Sequence, residues 1–184
     1  LIAFFVNIGI SFLLTPYIVS RLGNEAYGFI GLANNFVSYA LIITTALNAM
    51  AARFITIEIH RQDNEQANTY FNSVLIANFI MCFFLGIASV VIVLNIGNIF
   101  NVSNELIVDV QWTFGLVFLN FIITVLVSVF NISTFVKNRL ELSSIRNIIG
   151  NLLKLMITLV LFYFLPPKIM YLAIATLVST VFIG

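Results

Sequence analysis

Arg21-Leu22-Gly23-Asn24-Glu25-Ala26-Tyr27-Gly28 is a short polar break between two long apolar runs, residues 1–20 and 29–52. Each run is long enough to cross a bilayer, because about 20 residues at roughly 1.5 Å rise cover about 30 Å of hydrocarbon. The break therefore reads as a tight turn at a membrane surface. Gly23 suits the left-handed residue that ends a helix, and Asn24 suits the cap of the next one. Arg21 stands where a cation favours a helix C-terminus, and Glu25 where an anion favours an N-terminus. A helical hairpin is the expected outcome.

The rest of the chain agrees with a membrane setting. Of 184 residues, 61% are hydrophobic and 8% are charged, with a mean hydropathy of +1.12. A soluble domain carries about 25% charged residues. The net charge of +1 gives no field that would attract nucleic acid, so no nucleic-acid partner is expected. Cys82 is the single cysteine and lies in an apolar run. It excludes a disulfide within the chain and reads as a small packing residue. No initiating Met or cleavable leader is recognisable, and the chain both begins and ends inside apolar runs. It reads as a fragment of a longer protein.

Six spans can be drawn, at about 1–20, 29–52, 71–94, 112–136, 148–165 and 169–184, forming one transmembrane lobe. They are far longer than the roughly 9–11 residues of a membrane barrel strand. Backbone groups in lipid must be satisfied within their own segment, which also favours helices. The fold class is therefore an all-α, polytopic transmembrane helical bundle. Six of the eight cations, Arg53, Arg61, Lys137, Arg139, Arg146 and Lys154, fall between spans 2 and 3 or in and beside the connection from span 4 to span 5. Arg21 and Lys168 lie on the other side. The positive-inside rule then makes the N-terminus cytoplasmic in a multi-pass cell-membrane protein, with the opening turn outside.

Residues 53–70 are the longest polar stretch, with Arg53-Phe54-Ile55 extending span 2 and Asp63-Asn64-Glu65 capping a new helix. Residues 95–111 read as an outer connection. There Ser103-Asn104-Glu105 starts a helix that leads to the interfacial Trp112. Pro166-Pro167 forces a sharp turn before Lys168.

Polar residues inside spans should face protein or a watery cavity. Asn7, Ser11 and Thr15 share one face of span 1 at spacings of four. Asn34, Ser38, Thr45 and Asn48 fall within an arc of about 80° on span 2. Thr113, Asn120, Thr124, Ser128 and Asn131 line span 4, and Asn147, Asn151, Lys154 and Thr158 line span 5. Span 3 has only Asn78, Ser89 and a few others, so it is expected to be the most lipid-exposed. Each stripe alone is explained by hydrogen bonds between helices. Four together point to a bundle around a polar interior.

Lys154 shares its stripe with Asn151 and Thr158. It either faces the polar interior or snorkels back to the cytoplasmic edge, roughly 9 Å away on this reading. Arg53, at the end of span 2, suits either bidentate phosphate contact or anchoring at the interface. Arg139 and Arg146 read as topology signals, and His60 as a solvated residue. Glu105 and Asp109 read as helix-starting acids. Asn101-Val102-Ser103 is a glycosylation-type tripeptide, and Pro16 is a possible kink in span 1. No paired acids within a span, no Ser/His/Asp set, no phosphate-cradling glycine loop and no Cys/His metal spacing occur. The sequence therefore predicts no enzyme, no metal and no cofactor.

Thr15-Pro16, Arg21-Leu22-Gly23, Glu25 and Tyr27-Gly28, between the first two spans, resemble the first hairpin of the oligosaccharide flippases, the polysaccharide-biosynthesis exporters of the MATE-like superfamily. Ala46-Leu47-Asn48 through Arg53-Phe54 is similar to a second segment, although that family more often has Gly where Ala46 stands. The resemblance implies one lobe of a two-lobe transporter working by alternating access. It implies transport of a polyprenyl-pyrophosphate-linked oligosaccharide, with membrane lipid around the lobe and a coupling ion that the sequence does not identify. Arg53 and Lys154 are the expected contacts for pyrophosphate, and Asn34, Asn48, Asn120 and Asn151 for sugars. An ion-coupled drug exporter of the same superfamily would prefer a buried acid, and spans 1, 2, 4 and 5 hold none. A membrane enzyme or scaffold of envelope assembly is the remaining alternative.

Overall fold

Apolar runs of this length satisfy their backbone in lipid by coiling, and the described residues do so in seven helices. The computed structural model describes residues 2–136 and 140–183, with side chains at 8, 9, 12, 14–130 and 145–183. Asn7, Ser11, Asn131, Lys137 and Arg139, all singled out above, lie outside the described side chains. The helices are α1 (Ile2–Leu22), α2 (Asn24–His60), α3 (Asn64–Leu94), α4 (Ile96–Ile99), α5 (Ile107–Val136), α6 (Leu140–Phe164) and α7 (Met170–Ile183). Among the described residues, Asn24–His60, Asn64–Leu94, Ile107–Phe130 and Ile145–Phe164 are each long and apolar enough to cross a membrane. The chain is a multi-pass membrane protein with a helical bundle fold. Phe79, Phe83, Phe84, Ile87 and Val90 on α3 are exposed, as a face bathed in hydrocarbon requires.

The opening turn is tighter than expected. Gly23 has φ 84° and ψ 164°, a positive φ that glycine tolerates, but not the left-handed helical well. Asn24 is already the first helical residue, so it does not cap α2. Glu25 does more than favour the helix dipole. Its Oε1 accepts from the Ser103 hydroxyl at 3.0 Å and ties the turn to the connection before α5. Ser103 is thereby occupied, and α5 begins at Ile107 rather than at Ser103-Asn104-Glu105.

Residues 53–70 follow expectation in part: α2 extends past Arg53-Phe54-Ile55, as read from the sequence, but runs on to His60. α3 then restarts at Asn64. The cause is packing, because Ala51, Ile55, Ala67 and Val129 form a small core where α2, α3 and α5 meet. Asp63 caps α3 by accepting from the Gln66 N–H at 2.9 Å, as its position predicts. Gln62, at the tip of this hairpin, holds φ 62°. α6 begins at Leu140, eight residues before the apolar run that marked it.

α5 is the central helix, packed against α2, α3 and α7, while α6 lies on α7 and α1. The end of the bundle carrying the opening turn, where α2, α5 and α7 all begin, has the largest core. It joins Ala26, Phe29 and Ala33 of α2, Ile96 of α4, Val110, Phe114 and Phe118 of α5, and Ile169 and Ala173 of the α7 region. This is called the turn end below. At the opposite end Gly150 lets α6 touch α7, and its carbonyl accepts from the Ser179 hydroxyl at 2.8 Å.

Candidate functional site

The polar stripes meet in one cavity of ≈ 230 Å³ between α1, α2, α5, α6 and α7. Its polar lining is Thr15, Asn34, Thr113, Asn120, Asn151, Lys154 and Thr176. Leu14, Ile18, Ile30, Val117, Leu155 and Leu172 supply the apolar wall, with Tyr27 beside them. Counted along their helices from the turn end, these polar groups lie at depths of roughly 9–20 Å, near the middle of a bilayer core.

Lys154 is the only charged residue among the described lining residues. On α6 (Leu140–Phe164) it stands roughly 15 Å of helix from the turn-end terminus and roughly 21 Å from the other. That corrects the shallower position read from the sequence, and the longer α6 is the reason. Snorkelling serves cations near helix ends, so a half-buried lysine at mid-helix relies on the cavity to hydrate or pair it. No carboxylate lines the described cavity. The site therefore offers a positive charge with no counter-charge of its own.

The other lining groups are largely satisfied or neutral. Thr113 is fully buried and its hydroxyl donates to the Asp109 carbonyl at 2.7 Å. Thr158, on the α6 stripe but outside the lining, is likewise buried and donates to the Lys154 carbonyl at 2.8 Å. The Thr176 hydroxyl donates to the Leu172 carbonyl at 2.8 Å. Asn120 differs: its Oδ1 is buried with no hydrogen-bond partner among the described residues. Such a group is costly to leave unmade. Asn34, Asn120 and Asn151 carry amides suited to hydroxyl or phosphate oxygens.

Four of the six site residues named from the sequence, Asn34, Asn120, Asn151 and Lys154, share this cavity, and Asn48 and Arg53 do not. Asn48 sits on the same helical stripe as Asn34 but farther along α2, where α3 has closed in. Its Nδ2 donates to the Ser128 hydroxyl oxygen at 2.7 Å, and its Oδ1 accepts from Asn78 Nδ2 at 3.2 Å. It joins three helices rather than facing a ligand. Arg53 is exposed near the far end of α2. Tyr27 was named only as part of the opening turn and Thr176 not at all; Thr176 sits in the short last run, whose polar residues define no face on their own. His60 Nδ1 lies 2.9 Å from the Thr56 carbonyl. No group of three or more His, Cys, Asp or Glu that could hold a metal occurs among the described residues.

Asp109 has the largest role that the sequence concealed. Its two carboxylate oxygens accept from the backbone N–H groups of Ile169 at 2.8 Å and Met170 at 3.1 Å. It starts α5 and caps the beginning of α7, sixty residues on. Only the fold brings these elements together, so no local pattern signals it.

The chain is 32% identical over 181 residues to the uncharacterized membrane protein EpsK of Bacillus subtilis. That similarity covers 98% of this chain and 36% of the relative, so the chain spans about a third of the protein it matches. No protein-family profile matches the chain, and no solved structure does.

Proposed function

We propose that the chain is one lobe of a flippase that carries a polyprenyl-pyrophosphate-linked oligosaccharide across the cell membrane for surface polysaccharide biosynthesis. The observation that carries this reading is the mid-membrane cavity, with Lys154 as the only charge among its described lining residues. A lysine without a carboxylate partner selects an anion. Asparagine amides around it suit sugar hydroxyls and phosphate oxygens. The lipid tail remains in the bilayer while the headgroup crosses. Alternating access against a second lobe supplies the motion. A cation-coupled drug exporter fits less well, because the described lining has no acid to bind its ion.

The test is export of a lipid-linked sugar by the full-length protein in vesicles. Lys154→Met is expected to lower export about tenfold or more, as expected for losing a desolvated contact to a charged ligand. Its folded stability should hold or rise, since an uncompensated charge leaves the membrane interior. Lys154→Arg should retain part of the activity, and Arg53→Ala nearly all of it. Export at the wild-type rate by Lys154→Met overturns the reading.

A further inference from the structure

The start of one cavity wall is tied down by a single carboxylate in addition to its core packing. α7 contributes Leu172, Ala173 and Thr176 to the lining. The helix begins at Met170, directly after Pro166-Pro167-Lys168 and the fully buried Ile169. The first N–H groups of a helix have no partner within it. Here Pro167 has none to offer, the Tyr171 and Leu172 N–H groups turn back to the Lys168 and Ile169 carbonyls, and those of Ile169 and Met170 both go to Asp109. One turn further along α5, the Thr113 hydroxyl donates to the Asp109 carbonyl and Thr113 itself lines the cavity. Asp109 thus links the α5 wall to the α7 wall at the turn end, one to two turns from the polar layer, without lining the cavity.

We propose that Asp109 is a positioning residue, the clasp that holds the start of α7 against α5 and keeps the turn end of the cavity closed. A carboxylate shared by two N–H donors, at the positive ends of two helices, is a strong and directional contact. Releasing it frees α7 to tilt about its far end, where Gly150 and Ser179 still bind it to α6. Ala173 and Thr176 then become reachable from the turn end. The importance of this closure for transport rests on the flippase reading above; the closure itself does not.

The experiment uses the full-length protein with its native cysteines, Cys82 among them, replaced by Ala and a single reporter cysteine at Ala173. A membrane-impermeant thiol reagent is added from each side in turn. Asp109→Ala should speed labelling from the turn end about tenfold or more, the shift expected from losing two charge-assisted hydrogen bonds. Asp109→Asn, which keeps one acceptor oxygen and loses the charge, should fall between and keeps the test open if Asp109→Ala does not fold. A control cysteine at Ala67, buried in the small core at the opposite end of the bundle, should stay as protected as before. Unchanged labelling at Ala173 in a folded Asp109 variant overturns the clasp. So does an equal rise at Ala67, which means general loosening. If the labelling behaves as stated but the wild type exports no lipid-linked sugar, the transport reading falls and the clasp stands.

Discussion

Gly150 shows how one residue sets a helix contact. A Cβ at this position would overlap the Ile183 side chain and stand 2.9 Å from the Ser179 hydroxyl oxygen. Close approach of backbones through small residues is how helices associate in lipid, where no hydrophobic force drives them together. Here the approach also delivers the Ser179 hydroxyl to the Gly150 carbonyl. Ile183 ends α7 and has some freedom to move, whereas Ser179 is buried. Gly150→Ala should therefore lower unfolding stability by about 1–3 kcal/mol, the usual cost of overpacking. Gly150→Leu should cost more and should also reduce export, because the next residue, Asn151, lines the cavity. Thermal melting in detergent measures the first effect and vesicle export the second. A Gly150→Ala protein that melts with the wild type would mean that α6 and α7 are not in contact here.

At the scale of helices, the hairpin joining α2 to α3 shows what was legible and what was not. That helices exist, and roughly where, follows from apolar runs separated by Gly, Pro and charged residues. Their ends follow from tertiary packing. The run 53–60 looks like a loop because Arg53, Glu58 and His60 dilute it, yet Ile55 sits in a core with Ala67 and Val129 and holds the helix together. The cavity was legible where one face of a helix meets one environment, as at Asn120 on α5 or Asn151 and Lys154 on α6. It was not legible where one stripe passes two environments, as at Asn34 and Asn48 on α2, nor at Asp109, whose partners are remote in sequence. The hairpin tip supplies a test. Gln62 holds φ 62°, a left-handed conformation that costs an L-residue roughly 1–2 kcal/mol. Gln62→Gly removes that penalty but adds freedom to the unfolded chain. A net gain of roughly 0.5–1 kcal/mol is expected, read as a higher melting temperature. A drop on this substitution would mean that the Gln62 side chain has a role that its backbone angle does not reveal.

For the whole molecule, the decisive unknown is which end of the bundle faces the cytoplasm. Lys154 leaves the interfacial count, because it lines the cavity well inside α6 rather than standing near a helix end. Arg53, Arg61 and Arg146 belong to the end opposite the turn, and Arg21 and Lys168 to the turn end; Lys137 and Arg139, which the sequence assigns with the first three, lie outside the described residues. Arg21 is further engaged, its guanidinium 5.7 Å from the centre of the Tyr17 ring. With the sequence assignment of Lys137 and Arg139 the count is five against two, and the positive-inside rule predicts a turn end that faces outside. With the native cysteines, Cys82 among them, replaced by Ala, Asn101→Cys should therefore react with an impermeant thiol reagent added outside intact cells. Gln62→Cys should react only after the membrane is opened. Both positions are exposed, so failure to label reflects sidedness rather than burial. The orientation also gives the Asp109 clasp its meaning. With the turn end outside, and on the flippase reading, the clasp shuts the cavity against the compartment that would receive the cargo, and breaking it exposes Ala173 from outside. With the turn end inside, the same clasp would shut out the lipid-linked donor, and export would need it to open first. Labelling of Gln62→Cys from outside would reverse the proposed sense of the cavity while leaving its chemistry, an unpaired lysine among asparagines, as it is.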